Sequence, residues 1–328
     1  MSWFVYMLRC GDGSLYTGVT NDLERRVAAH ASGRGAAYTR GRGPFTVAHL
    51  EPAPDRSTAL RRELEIKKMT RTGKEALMRR KPPAVPPSRR PAFAPAALTF
   101  LRGLARHNER AWFEAHRDAY EREVRGPLRE LVEELDVRLA TLAPEIVGDP
   151  KRSLFRIHRD VRFSSDKRPY KTHAAAWLYH RDAGKGVGRE AAHGGAGFYF
   201  HLAPAPQGSL FGGGIWMPPR PTLALLRERL VEEPEAFAAL VDAPAFRRRF
   251  GPLDTEGMLK RLPRGYAPGH PAERWLRYTS FFASRAVPVE EATSPRLADR
   301  LAKDIAALVP FVRWLNEAIG LQGLGTRY

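Results

Sequence analysis

Five side chains near the start of the chain have types and spacings that could do chemistry together: Tyr6, Tyr16, Arg26, His30 and Glu63. Phenols and an imidazole can pass protons. A guanidinium can grip an anion through its fork of donors, and a lone carboxylate can hold one hard divalent cation with water filling the remaining positions. Each residue alone also has an ordinary reading. A strand tyrosine packs, Arg26 can be as solvated as its neighbour Arg25, and His30 can end a helix. Glu63 is harder to dismiss, because carboxylates are rarely set on an apolar stripe without a partner. Glu65, two positions on, points elsewhere.

These side chains need particular elements to position them. Phe4-Val5-Tyr6-Met7-Leu8 reads as a strand, Gly11-Asp12-Gly13 as a turn, and Leu15-Tyr16-Thr17-Gly18-Val19 as the return strand of a hairpin. Asn21 then opens a helix as N-cap, with Glu24 as its capping-box partner. Arg26 and His30, four apart, share one face of that helix, while Leu23 and Val27 cover another. A second helix follows near Ser57, where Ala59, Glu63 and Ile66 fall at helical spacing.

The ordered set resembles the GIY-YIG endonuclease superfamily, and most closely its small bacterial single-domain branch. Phe4-Val5-Tyr6 matches the first family triplet and Tyr16-Thr17-Gly18 the second. Arg26 and His30 match the Arg-x-x-x-His element, Glu63 the late glutamate, and Tyr38-Thr39-Arg40 a loop of that branch. The resemblance covers residues 1–82. The first triplet lacks its glycine, which the family tolerates, and nothing matches the polar residue that some members carry after the glutamate helix. The resemblance implies metal-assisted phosphodiester hydrolysis with one Mg2+ or Mn2+ on Glu63, Arg26 on the scissile phosphate and Tyr6 as general base. Tyr16 or His30 would orient Tyr6 or share its work. A phenol with its ordinary pKa near 10 is a poor base at neutral pH, so the metal and Arg26 would have to lower it.

Charge points the same way. The formal net charge is +18 with a pI of about 10.5, so an anionic partner is the first to consider. Residues 1–90 carry 18 Lys and Arg against 8 Asp and Glu, a net +10, which leaves +8 for the much longer remainder. An arginine-rich proteome that keeps its proteins soluble is the bland alternative. Tyr38, Arg40, Lys67, Lys68, Arg71 and Lys74 are candidates for contacts to nucleic acid, DNA first and RNA second; phosphate contacts of this kind carry affinity rather than sequence preference. No run approaches the ~20 apolar residues of a membrane span, and no signal-peptide core follows Met1. The single cysteine, Cys10, excludes an internal disulfide framework or a cysteine-rich zinc site, which fits a reducing cytoplasm.

The dense prolines of residues 83–95 read as an extended linker, dividing a domain over 1–82 from another over 96–328. The second domain begins with helices at Ala96–Arg106, Glu109–Val124 and Leu128–Leu142. Strand-like stretches follow at Ser153–Phe163, Gly197–Leu202 and Leu210–Met217, then a helix from Thr222 to Glu232, a strand at Tyr278–Ala283 and a final helix or pair over Pro295–Ile319. Both parts read as α+β: a small nuclease-like domain with an antiparallel sheet and flanking helices, then a larger α+β domain. Arg156-Ile157-His158-Arg159-Asp160-Val161-Arg162 through Asp166-Lys167-Arg168-Pro169-Tyr170-Lys171 resembles the signature of the domain of unknown function 2461 family, a likeness covering 95–320 that supplies no activity. Arg156, Arg159, Arg162, Lys167, Arg168 and Lys171 beside Asp160 and Asp166 could build an anion site or an ion-pair brace. Two alternatives to a nuclease stay open. One is a catalytically silent nucleic-acid-binding protein; the other is an enzyme whose main activity, on a small phosphorylated molecule, lies in the second domain.

Overall fold

An apolar run that alternates its faces and ends at a turn becomes the centre of a small sheet. The computed structural model describes residues 3–21, 23–31, 36–39, 41–79, 93–161, 166–183 and 194–322, leaving aside the side chains of Glu24, Arg25, Ala28, Ala29 and Ala37. The expected partnership of Asn21 with Glu24 therefore lies outside the described residues. The chain divides into two units, Met1–Arg90 and Pro91–Tyr328. Most of the proline-rich stretch also lies outside the described residues, but Phe93, placed in the linker by its surroundings in sequence, is buried in the core of the second unit.

In the first unit β1 (Trp3–Arg9), β2 (Leu15–Thr20) and β3 (Thr46–Ala53) form an antiparallel sheet in the order β2-β1-β3. The third strand was not expected: Glu51 and Pro52 interrupt its apolar pattern, and its central partner decides its state. Among the described residues three α-helices complete the unit, α1 (Leu23–Ala31), α2 (Arg56–Lys68) and α3 (Arg71–Met78). Asp55 caps α2 by accepting the Thr58 amide at 2.8 Å, satisfying one of the donors that every helix start leaves open. Phe4, Tyr6 and Leu8 point to one face of β1 and pack with Leu23, Val27 and Leu50. Val5 and Met7 point to the other, opposite Glu51 and His49. Arg62 of α2 reaches Glu51 with two bonds of 2.7 and 2.9 Å, so α2 lies over this second face.

The second unit has a five-stranded antiparallel meander, β4 (Ile146–Val147), β5 (Ala174–His180), β6 (Gly197–Leu202), β7 (Ser209–Ile215) and β8 (Phe281–Val287), in that spatial order. Helices α4 (Pro95–Arg106), α5 (Arg110–Ala115), α6 (Arg117–Ala119) and α7 (Gly126–Leu142) precede it. Helices α8 (Arg220–Glu232), α9 (Pro234–Val241), α10 (Pro244–Phe250) and α11 (Glu273–Leu276) lie between β7 and β8, and α12 (Val289–Ala292) and α13 (Leu297–Ala318) follow. The single helix expected over Glu109–Val124 is broken into α5, α6 and a π-helical turn at Tyr120–Arg125. The described part of Ser153–Phe163 is not a strand; only Leu154 and His158 make isolated bridges, to Ala176 and Tyr170. The strand of that region is β5, whose alanines hid it and whose seven residues are all buried. In β7, Gly214 has φ +136 and a Cβ there would lie 2.0 Å from the Phe281 carbonyl oxygen, so no side chain fits against β8.

Helix α13 packs along β7 and buries Leu301, Ile305, Leu308, Val312 and Leu315 at helical spacing. Its fully buried Asp304 accepts from Arg249 at 2.5 Å and from Arg285 at 2.6 and 2.9 Å. Near the helix end, buried Asn316 accepts from the Ala196 amide at 2.8 Å and donates to the Ala196 carbonyl at 3.2 Å. Asn316→Ala leaves both backbone groups dry. It should destabilise the second unit by on the order of 2–4 kcal/mol, seen as an earlier urea midpoint for its transition. An unchanged midpoint would show that the pairing is not needed.

Candidate active site

The second triplet's glycine makes the site possible. Gly18 lies directly opposite Tyr6 across the hairpin. A Cβ at Gly18 would sit 2.7 Å from the Tyr6 hydroxyl oxygen and 2.9 Å from the ring carbon bearing it, so the phenol crosses β2 only because the side chain there is hydrogen. Helix α1 supplies the partners, since residues four apart on a helix lie one above the other. Arg26 Nε donates to the Tyr6 oxygen at 3.1 Å, and the Tyr6 hydroxyl lies 2.9 Å from His30 Nε2.

The direction of each bond follows from the last link. Thr39 spends its one hydroxyl hydrogen on the Ala36 carbonyl at 2.8 Å, so its oxygen accepts from His30 Nδ1–H at 2.7 Å. Nε2 is therefore the bare nitrogen, and Tyr6 donates to it while accepting from Arg26. Burial, helped by the Arg26 charge, pulls the His30 pKa from the ordinary value of about 6.5 down to about 4, so the ring is a neutral acceptor near pH 7. Burial pushes the Tyr6 pKa up and outweighs the opposing Arg26. Arg26 alone therefore does not lower Tyr6 as expected: Tyr6 is a phenol whose proton is aimed at His30.

Tyr16 forms the next layer out. Its ring meets His30 edge-on at 4.9 Å between centroids and stacks on Tyr38 at 6.2 Å, and Arg42 lies over Tyr38 at 4.4 Å while pairing with Asp12 at 2.9 Å. Its hydroxyl acts electrostatically on both Tyr6 and Arg26. Tyr6 and His30 are buried, Tyr16 and Arg26 are half-buried, and Tyr38 is exposed. Access to the group is from the Tyr16 side.

Glu63 comes from elsewhere. It sits on the buried stripe of α2 between Ala59 and Ile66, half-buried itself, with Lys67 Nζ at 2.8 Å. No hydrogen bond or ion pair among the described residues ties it to Tyr6 or Arg26, and no cluster of three potential ligands occurs among them. A half-buried carboxylate that faces one flexible lysine among the described residues suits a water-rich divalent cation rather than a tightly caged one. Lys68 is exposed; Arg71 pairs with Glu75 at 3.2 Å and Lys74 donates to the Lys67 carbonyl at 3.1 Å. Arg40 lies outside the described residues. Gly18, Thr39 and Arg42 have structural roles here that residue type alone did not signal, although Gly18 and Thr39 stand inside the two motif segments quoted above.

In the second unit the basic stretch turns inward on its own acids. Arg168 grips Asp166 through its guanidinium, at 2.9, 3.1 and 2.7 Å, and its amide, Arg159 adds a contact at 3.2 Å, and this holds the Asp166 carboxyl well below the usual range. Arg156 lies 4.0 Å from Asp160, Lys167 donates to the Val161 carbonyl at 3.0 Å, and Lys171 sits over the Phe155 ring at 5.3 Å. Arg162 lies outside the described residues. The described cations brace a loop, which favours the ion-pair reading over an open anion site.

Comparison with known proteins finds two family models in this chain. One, the GIY-YIG catalytic domain, matches residues 2–76; the other, a conserved hypothetical protein family (DUF2461), matches 96–314. The first unit is similar to UPF0213 protein BH0048 of Halalkalibacterium halodurans, 50% identical over 78 residues, covering 24% of this chain and 83% of that protein. UPF0213 protein VNG_2274C of Halobacterium salinarum is 53% identical over 73 residues, 22% of this chain and 95% of that protein. UPF0213 protein YhbQ of Escherichia coli is 49% identical over 76 residues, 23% and 76% of the two chains. A solution NMR structure of BH0048 matches at 51% identity over 24% of this chain and 82% of that one, with a TM-score of 0.17.

Two expectations follow from the geometry. Between pH 6.5 and 4 an unfolded His30 binds a proton that the folded one refuses, so stability should fall with pH across that window and level off below it. The loss is up to roughly 3 kcal/mol, and His30→Gln should flatten the wild-type curve there; parallel curves would contradict the depressed pKa of His30. Gly18→Ala should drive Tyr6 off its partners and cost about 1–3 kcal/mol. A wild-type melting temperature in that variant would remove the packing argument.

Proposed function

Because the chain belongs to the GIY-YIG family over residues 2–76 and to the DUF2461 family over 96–314, we propose that its nuclease-type N-terminal unit hydrolyses phosphodiester bonds. The substrate is nucleic acid, DNA first, and the second unit is an accessory domain. The observation that carries this reading is the one-directional run Arg26–Tyr6–His30–Thr39 with Tyr16 on its solvent side, on a unit of net charge +10. No helix among the described residues is long and apolar enough to cross a membrane; the single cysteine, Cys10, is what fits the cytoplasmic location proposed for the protein.

Arg26 spends Nε on Tyr6 and is also drawn to the Tyr16 hydroxyl, which fixes its plane with its terminal nitrogens on the side where the scissile phosphate and the charge that builds on it would lie. Burial makes Tyr6 the inner phenol and half-exposed Tyr16 the one nearer the attacking water. As the Tyr16 oxygen takes the proton of that water, Tyr16 passes its own hydroxyl proton to the Tyr6 oxygen and Tyr6 releases its own to His30 Nε2, the bare acceptor at the inner end. The low basicity of His30 sends the proton back through the two phenols to solvent, so the relay resets after each turnover. One Mg2+ or Mn2+ on Glu63 would lower the pKa of a bound water and neutralise charge on the leaving oxygen.

The pairing of Glu63 with Lys67 favours one second reading, a nucleic-acid-binding unit without chemistry. Cleavage of linear, single-stranded and branched DNA and of RNA with Mg2+ or Mn2+ separates the two. Arg26→Ala should lower the rate by about a hundredfold or more, Glu63→Ala should abolish the metal-dependent rate, and Tyr6→Phe should be impaired along with Tyr16→Phe. Undiminished cleavage in Arg26→Ala and Glu63→Ala would remove the site. Binding that survives EDTA, with no cleavage of any substrate, would establish the second reading.

A further inference from the structure

The strand β7 ends at a turn whose backbone is strained. Met217 has φ +41, the one positive value for a non-glycine among the described residues, and its amide donates to buried Ser280 Oγ at 2.9 Å. Sparsely populated backbone of this kind costs energy and collects at ligand sites. The turn forms one wall of a cavity of about 680 Å³. The start of α8 forms a second wall with Arg220 and Arg227, and the segment before α11 a third with Arg264 and Tyr266.

The charge in this cavity is unbalanced. Its lining holds three arginines and no carboxylate, and none of the three makes an ion pair among the described residues. Arg227 donates one terminal nitrogen to the Tyr278 carbonyl at 3.2 Å, while its Nε is buried without a hydrogen-bond partner. Burial pulls the Arg227 pKa down, the reverse of an arginine that has found a carboxylate. A guanidinium stays charged in proteins, so an uncompensated one out of water is costly. The positive end of α8, whose cap has no side-chain hydrogen bond, adds to the same field.

We propose that this cavity binds a phosphate monoester of about nucleotide size. Guanidinium forks match the oxygens of a phosphate dianion, and a buried unpaired Nε supplies a donor already stripped of water. The volume exceeds what inorganic phosphate fills. Its remaining lining, Leu223, Leu259 and the Tyr266 ring, suits an apolar or planar group attached to the phosphate. This site lies on residues apart from the Arg156–Lys171 segment and does not depend on the nuclease reading.

Calorimetric titration of the full chain in metal-free buffer tests it, with inorganic phosphate, adenosine monophosphate and a short single-stranded oligonucleotide as separate probes. Adenosine monophosphate should bind more tightly than inorganic phosphate. Its affinity should fall about tenfold or more in Arg227→Met and in Arg264→Ala, each removed contact being worth about one factor of ten. Arg26→Ala should bind as wild type does, which separates this cavity from the N-terminal site. If Arg227→Met fails to fold, the solvent-side Arg264→Ala decides alone. No binding of the monophosphate at millimolar concentration overturns the proposal. So does wild-type affinity in both cavity variants, loss of affinity in Arg26→Ala, or binding of the oligonucleotide alone.

Discussion

A buried phenol must keep its hydroxyl hydrogen-bonded, and the first unit is arranged around how Tyr6 does so. One strand over, a missing side chain at Gly18 lets the ring cross β2. One helix away, two residues a single turn apart present a donor and an acceptor. The loop that follows fixes the acceptor's tautomer through Thr39. Each segment is weakly informative alone. Together they leave one direction for every proton, from the guanidinium through the phenol and imidazole to a backbone carbonyl.

That direction matters more than the identity of any member. Left to its neighbouring charge, Tyr6 would be the more acidic phenol. Burial wins that contest, since desolvation penalises the phenolate more than Arg26 favours it. The same burial strips His30 of its usual basicity and keeps Nε2 open. The inner members of the group, Tyr6 and His30, are thus neutral, and the charge the group carries is the half-buried guanidinium of Arg26.

The second unit solves its burial problem by pairing. Asp304 lies dry on α13 because two arginines from separate elements reach it, and Asn316 satisfies both polar groups of one backbone residue. The basic stretch that looked most like a binding site in sequence is occupied with Asp166. Against that pattern the three unpaired arginines around the start of α8 stand apart. They line a cavity whose lining holds no carboxylate.

Local sequence decided the elements whose signals are local. The hairpin, α1 and α2 follow from alternation, a turn and helical spacing, and β6 and β7 from apolar runs. It also named Tyr6, Tyr16, Arg26, His30 and Glu63, because their order and separation are set along the chain. Strands β3 and β5 escaped it, since proline and glutamate in one and alanines in the other give no period, and sheet partners alone make them strands. The grouping of Arg26 with Tyr6 and His30, Glu63's lysine and the inner position of Tyr6 were decided only by tertiary structure. Hydrogen-bond partners, burial and the pKa shifts they cause depend on what lies across a strand or under a helix, and no spacing along one chain contains that distance.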